Sequence, residues 1–322
     1  MSKLRWGIIS TGRMAGWFCN DFHQVTHSVL SAVCSRSEAA ATQFAETYGI
    51  QHRFTNLDAL LTSGTIDVAY IATPHTTHKD ILLKCFDRSI PVLCEKPFVT
   101  SVADAEDVIT AAQQSNTYFM EAMWTWHLPV LKAAKAWVEA GRIGNLVHVK
   151  ADFGYPVAYA PDQREYNVKD AGGALREMGI YPVALMRLFM DEFAQDLHVV
   201  HQRAPNGVEN DLTALFDFGD RTATLSTSYR CRLRNAAHII GEEGYIVIPD
   251  FFRADRADLY QLDDLIETAA FPRQTGGYEY QAIAMGEELA SGRQTPVLVT
   301  HEKSLQVQKD MRDILLKAGL SE

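Results

Sequence analysis

No apolar run in this sequence approaches the roughly 18 residues that span a bilayer. The opening, Met1-Ser2-Lys3-Leu4-Arg5-Trp6-Gly7-Ile8-Ile9, has too short an apolar stretch for a signal-peptide core and lacks a small-residue cleavage site. A membrane partner is therefore not expected. Cys-x-x-Cys spacing is also missing. The five cysteines, Cys19, Cys34, Cys85, Cys94 and Cys231, are scattered and odd in number. That usage fits reduced thiols and a cytoplasmic protein better than a disulfide framework. Basic excess is absent as well: the formal net charge is −10, which argues against nucleic-acid binding because a phosphate backbone calls for a cationic footprint. His-Glu-x-x-His, low-complexity tracts and solenoid-period repeats do not occur. His75 and His78 lie near a helix start with no third ligand close in sequence, so no metal is expected.

What is present divides in two. At roughly 100–200 residues per domain, 322 residues predict two domains. In the first, apolar strands alternate with helices. Strands are expected at Leu4 to Ile9, Val29 to Cys34, Ile66 to Ala72, Pro91 to Cys94 and Tyr118 to Ala122. The helices between them run from Ser37 to Tyr48, Asn56 to Leu61, His78 to Arg88 and Ser101 to Ser115. This alternation predicts a doubly wound parallel α/β sheet over residues 1–122, with ligands beyond the carboxyl ends of the strands. Gly141 and Gly144 follow a helix from Leu128 to Ala140, and beyond them strands follow one another. Residues 123–322 are therefore expected to form an α+β domain with a large, mostly antiparallel open sheet, closed by two late helices.

The chemistry-bearing residues fall at the predicted strand ends. Ser10-Thr11-Gly12-Arg13-Met14-Ala15-Gly16 resembles a dinucleotide turn with serine at the first glycine. Gly12 would admit a pyrophosphate to the backbone, and the helix N-terminus would face the anion. Past the second strand no acidic residue is placed to hold a ribose 2′-hydroxyl. Ser35 and Arg36 suit the 2′-phosphate of NADP instead, with NAD the lesser alternative. Ser35 and Glu38 equally match a capping box for the next helix. Thr73, Pro74, His75 and His78 follow the next strand, and Glu95-Lys96-Pro97 the one after it. A lysine at such a mouth can handle protons, since desolvation lowers its pKa readily. It can also be merely a solvated strand end.

Trp124 and Trp126, two apart, would face one side in extended chain, as a substrate wall or as core. Phe153, Tyr155 and Tyr159 are further aromatic candidates for a substrate pocket. In the segment Ala171 to Tyr181, Gly173, Glu177 and Tyr181 share one stripe at helical spacing. Such a stripe suits either a closely approaching ligand or tight packing against the first domain.

Taken together, Glu95-Lys96-Pro97, the Ser10-x-Gly12-x-x-Ala15 turn, Ala72-Thr73-Pro74-His75-x-x-His78 and Gly172-Gly173-Ala174-x-x-Glu177-x-Gly179-x-Tyr181 resemble the glucose-fructose oxidoreductase/inositol dehydrogenase/rhizopine-catabolism family over essentially the whole chain. Glu121-Ala122-Met123-Trp124 and Tyr181 are similar to its branch of dihydrodiol and NADP-dependent xylose dehydrogenases. The resemblance implies a Rossmann domain that binds the cofactor through Ser10, Thr11, Gly12, Arg13, Met14, Ser35, Arg36, Thr73, Pro74, His75, His78, Glu95 and Lys96. It implies hydride transfer to or from a carbinol carbon of a sugar, cyclitol or diol. Lys96 and Tyr181 would be the acid–base groups, either one being the proton acceptor. It also implies a homodimer through the second domain's sheet. Three positions depart from the pattern. Tyr181 stands where most members have histidine, Glu177 where aspartate is usual, and Trp126 where the branch often has arginine. Other readings are a cofactor-binding sensor or scaffold without chemistry, and an oxidoreductase that keeps its NADP and shuttles hydride between two sugars.

Overall fold

A computed structural model of the protein describes residues 3–322. The chain forms two compact units, Met1–Trp124 with Gln274–Leu305 and Thr125–Arg273 with Gln306–Glu322.

The first unit is built on a parallel sheet. Its strands are β1 (Leu4–Ile9), β2 (Ser28–Cys34), β3 (His52–Phe54), β4 (Val68–Ile71), β5 (Val92–Glu95) and β6 (Phe119–Ala122), in the order β3-β2-β1-β4-β5-β6. β4, β5 and β6 are buried along their whole length, as strands covered on both faces must be. The crossovers are α1 (Arg13–Asp21), α2 (Glu38–Tyr48), α3 (Leu57–Thr62), α4 (His78–Phe86) and α5 (Val102–Gln114). Order reverses between β1 and β4, which opens a crevice at their carboxyl ends.

Local signals explain most of these boundaries. Asn56 and Ser101 cap α3 and α5 through the Ala59 and Asp104 N–H groups, and Gly49, at φ 66°, closes α2. The cap of α2 is Ser37, which accepts from the Ala40 N–H at 3.3 Å, and not Ser35 as the capping box suggested. The Ser35 hydroxyl instead accepts from the Ser37 N–H at 3.4 Å. β3 was not foreseen, because three largely exposed residues give no periodicity.

A division at 122/123 overlooks Gln274–Leu305. The segment carries α8 (Glu279–Ala290) and the first turn of α9 (His301–Lys317), and specific bonds hold it to the first unit. Asp21 accepts from the Gly276 and Tyr278 N–H groups, the Tyr118 hydroxyl donates to Glu288, and a His301 ring nitrogen meets the Phe119 carbonyl. Partners so far apart in sequence leave no local trace.

The second unit holds β7 (Leu146–Gly154), β8 (Asp196–Arg203), β9 (Glu209–Asp217), β10 (Thr222–Ser228), β11 (Ala237–Gly241), β12 (Tyr245–Ile248), β13 (Arg256–Gln261) and β14 (Asp264–Ala270). Their order is β14-β13-β12-β11-β7-β10-β9-β8, antiparallel except for β10 against β7. β13 and β14 escaped the sequence reading because β14 is exposed along most of its length and shows no apolar alternation. α6 (Pro129–Glu139) and α7 (Ile180–Phe189) complete the unit, and α7 packs on β7 and β10. Arg187, on the buried α7, forms a bidentate pair with Asp310 on α9, and its remaining donor reaches the Met190 and Glu192 carbonyls. Such a pair tolerates burial because every charge has a partner. The five cysteines are all free thiols. No helix among the described residues is long and apolar enough to cross a membrane.

His127, just before α6, is fully buried, and its ring nitrogens have no hydrogen-bond partner among the described residues. Burial, with Lys132 nearby, pushes its pKa down to about 3 from the ordinary 6.5. The unfolded chain therefore binds a proton that the folded chain refuses between those values. This contribution to stability is complete above pH 6.5 and is lost as pH falls toward 3, at up to about 1.4 kcal/mol per pH unit. Replacing His127 with Leu is expected to reduce the drop in urea midpoint between pH 7 and pH 5. An unchanged drop would show that the buried imidazole does not set this acid sensitivity.

Candidate active site

The turn after β1 is shaped by an unusual serine. Ser10 has φ 141°, a conformation that favours glycine, and its hydroxyl accepts from the Gly12 N–H at 3.0 Å. Gly12 caps α1, where a Cβ would come 3.2 Å from the Ser10 hydroxyl oxygen. The first turn of α1 has no acidic residue, so its unpaired N–H groups and dipole remain suited to an anion. Arg13 is exposed and stacks over Trp17 at 5.2 Å, and Met14 is half-buried beside it. Thr11 meets the Ser35 hydroxyl at 3.3 Å, linking this turn to the end of β2. Arg36 is exposed there and makes no ion pair among the described residues. Bare backbone donors, hydroxyls and an uncommitted guanidinium fit the pyrophosphate and ribose end of a dinucleotide.

The loop after β4 behaves differently. Thr73 is half-buried and Pro74 exposed, while His75 and His78 are buried. The His78 ring lies between two carbonyls, Thr73 at 2.8 Å and Pro97 at 3.2 Å. It thereby braces the β4 loop against the β5 loop, a role closer to support than to direct cofactor contact.

At the end of β5, Glu95 and Lys96 are only 5% and 7% exposed, and Lys96-Pro97 is a cis peptide. Tyr70 on β4 donates to Glu95 at 2.6 Å, and burial beside that carboxylate pushes the phenol's pKa well up. Lys96 is thus not a solvated strand end. Glu121 on β6 lies near Lys96 and Glu95 and is fully buried. Burial raises its carboxyl to about 7, against the lowering effects of Ser304, the Phe98 N–H and Lys96. Trp124 packs at a tilt against Tyr278 with ring centroids 4.6 Å apart, and Tyr278 in turn lies parallel to Trp17.

The two tryptophans do not share a side, because residues 124–127 form a 3-10 turn and not extended chain. Trp126 is buried and donates to the Ala184 carbonyl on α7 at 3.1 Å. Its indole is core of the second unit, which corrects its assignment to a substrate wall.

In the second unit, Tyr181 is half-buried at the start of α7, and the preceding Leu175–Gly179 forms a π-helical turn. The wider turn breaks the simple four-residue stripe. Glu177 is turned to Arg164, which it engages at 2.8 Å. Gly173, at φ 148°, yields its Cβ space to the buried Glu209 carboxylate, which would lie 2.2 Å from that Cβ. Gly172 similarly admits the Arg164 carbonyl. These glycines serve packing within the second unit. Around Tyr181 the rings of Phe153 and Phe252 lie at 5.5 and 6.5 Å, and Phe153 stacks on Phe252 at 4.1 Å. Tyr155 packs edge-on to Phe153, with Arg232 over its outer face.

Sequence reading missed Tyr70, Glu121, Phe252 and Tyr278. Glu121 carried a signal, a lone carboxylate inside an otherwise apolar strand. The others are ordinary aromatics whose placement is tertiary.

A switch-point crevice with a bare helix N-terminus, and with a buried lysine at the neighbouring strand end, is the arrangement of a dinucleotide-binding domain. The comparisons give the family. Residues 4–123 match the oxidoreductase family with NAD-binding Rossmann fold, and residues 131–247 match the GFO/IDH/MocA C-terminal domain. Trans-1,2-dihydrobenzene-1,2-diol dehydrogenase of Mus musculus is 31% identical over 249 residues, 75% of this chain and 73% of that protein. The aldose-aldose oxidoreductase of Caulobacter crescentus superposes with a TM-score of 0.89 at 22% identity, over 98% of each chain. A 3-ketoreductase from Actinomadura kijaniata, solved with NADP and TDP-benzene, gives 0.84 at 22% identity over 99% and 98%. At these identities the two structures establish the fold alone. The chain belongs to the GFO/IDH/MocA oxidoreductase family and is an NAD(P)-dependent oxidoreductase.

A side chain at φ 141° costs about 1–3 kcal/mol, and the Ser10–Gly12 bond returns about 1 kcal/mol. Ser10→Ala keeps the strain and loses the bond. Ser10→Gly removes both. Thermal unfolding is expected to rank Ser10→Gly above Ser10→Ala, and the reverse ranking would mean that Ser10 is not held against its preference.

Proposed function

We propose that the protein is an NADP-dependent dehydrogenase or reductase acting on a CH–OH group of a sugar, cyclitol or trans-dihydrodiol. The observation that carries this reading is Lys96, buried at the carboxyl end of β5 beside the switch-point crevice. NADP would be held by the Ser10–Met14 turn, by Thr73, Pro74 and His75, and at its ribose phosphate by Ser35 and Arg36. Preference for NADP over NAD rests on Arg36, an exposed cation directly after β2, where a carboxylate would be needed to hold a free ribose 2′-hydroxyl. When bound, the nicotinamide supplies the hydride acceptor or donor.

Lys96 and Tyr181 are the proposed acid–base groups, taking the hydroxyl proton in oxidation and returning it in reduction. General acid–base groups of this kind contribute about 10²–10⁴-fold. Glu177 acts indirectly, through Arg164. Phe153, Tyr155, Phe252 and Trp124 offer apolar faces suited to a sugar ring or an aromatic diol. The mouse relative's activity on a dihydrodiol makes that class a natural part of the panel.

Reduced-nicotinamide absorbance, followed with NADP and NAD over aldoses, cyclitols and trans-dihydrodiols, tests this reading. Turnover should favour NADP, and Arg36→Glu should reverse the preference. Lys96→Met and Tyr181→Phe should each lose about 10²–10⁴-fold in kcat. If both act on one proton, the double variant loses little more than either single one. Near-normal kcat in Tyr181→Phe would remove the tyrosine from the mechanism, and better turnover with NAD would overturn the role of Arg36.

Dimerisation through the sheet of the second unit and a cytoplasmic location complete the proposal. Support for the dimer lies on the sheet face away from α7, where Val200 is 73% exposed and Leu215 is 40% exposed beside Thr213 and Ser226. The free cysteines support the location. Sedimentation should give a dimer at micromolar concentration that Leu215→Glu dissociates, whereas a wild-type monomer would discard the interface.

A further inference from the structure

A carboxyl group with 2% exposure sits inside the first unit's sheet, and the mechanism above gives it no task. Glu121 is the third residue of β6 and pairs in register with Cys94 of β5, so the two side chains share a face of the sheet. That face is otherwise apolar: Cys94, Phe98 and Phe119 belong to its core. Glu95 pairs with Ala122 and takes the opposite face, where the Tyr70 hydroxyl satisfies it. Two residues beyond Cys94, just past the end of β5, stands Lys96, whose charge acts on Glu121. The β5 end thus brings a buried cation close to two carboxylates that lie on opposite faces of the sheet.

We propose that Glu121 is a positioning residue for Lys96, its carboxylate holding the ammonium at the mouth of the sheet and strengthening its grip on the proton. This rests on the reading of Lys96 as an acid–base group. A buried carboxylate in an apolar layer is costly unless a cation or donors compensate it. The groups facing Glu121 are few. Cys94 comes from β5 and Lys96 from just past its end, the Phe98 N–H from the same loop and Ser304 from α9, while Glu95 acts from the opposite face. The Phe98 donor is long, at 3.3 Å, so Lys96 is the only full positive charge in this set. With its carboxyl raised to about 7, Glu121 changes charge within the working range, so the field on Lys96 changes there too. Below that pH the neutral acid loosens the lysine, and above it the carboxylate fixes it.

The test follows Lys96 directly and needs no turnover. The full-length protein, carrying lysine labelled with ¹³C at the ε-carbon, is titrated by NMR, and the Lys96 signal is assigned by its loss in Lys96→Met. In Glu121→Gln, which keeps shape and removes charge, the Lys96 midpoint is expected to fall by about one pH unit, a tenfold weaker hold on the proton. Glu121→Asp, which keeps the charge, should restore most of that shift and serves as the readout if the amide variant does not fold. NADP affinity, measured by fluorescence, should stay within about twofold in either variant. An unchanged or raised Lys96 midpoint in Glu121→Gln, or in Glu121→Asp no recovery toward wild type, overturns the proposal. Where a substrate turns over, the acidic limb of the kcat–pH profile should move down with the NMR midpoint. Absence of turnover on every substrate, with the NMR shift present, would refute the catalytic reading of Lys96 and leave the coupling standing.

Discussion

Burying charge at the end of a parallel strand is the constraint around which the first unit is built. Glu95, Lys96 and Glu121 are each less than a tenth exposed, in a sheet whose other residues are almost wholly apolar. An isolated buried charge would cost several kcal/mol, so each must find a partner. Neighbouring elements supply them: Tyr70 on β4 for Glu95, and the Phe98 N–H for Glu121. His78 on α4 braces the loop by meeting the Pro97 carbonyl. The strand order brings these groups together, because β4, β5 and β6 are adjacent and parallel and their carboxyl ends open on one side.

The backbone alternation that produces this arrangement was readable from sequence, since apolar runs ending in Gly12, Ser35, Thr73 and Glu95 mark successive strand ends. What sits at those ends was readable as well. How the groups face one another was not. Glu121 and Cys94 meet only through register, and register between parallel strands is fixed by packing across crossovers and not by any local turn. The segment 274–305 illustrates the same limit, because its attachment to Asp21 and Tyr118 spans most of the chain.

The Gly173–Tyr181 segment shows a second kind of limit. Its four-residue spacing is that of an α-helix, and the stripe argument assumed one. The π-helical turn at Leu175–Gly179 re-aims the side chains that follow. Its cause is tertiary in part: Glu209, buried with its carboxyl raised by that burial, accepts from the Leu175 N–H and occupies the space beside Gly173. The glycine is therefore required by the protein's own carboxylate. Trp126 makes the same point. Its indole N–H is satisfied by a carbonyl inside α7, and a residue so placed has no polar edge left for a ligand.

The two units carry different chemistry. The first contributes bare backbone donors at α1 and a set of buried ionisable groups at β5 and β6. The second carries two phenols, Tyr181 and Tyr155, with Phe153 and Phe252. Charge in the first unit is held by sheet register, which a point substitution cannot easily shift. The aromatic side chains of the second stand at the ends of β7 and in the turn after β12, where side chains can change without disturbing the ladder. Ionisable groups and bare backbone donors thus sit at the ends of the parallel sheet, and an aromatic cluster sits beside the second sheet. The same division explains why the chemical class could be read from sequence while the identity of the carbinol could not. The class was legible in motifs spread along the strand ends, whereas aromatic faces accept any flat apolar partner and so name no carbinol.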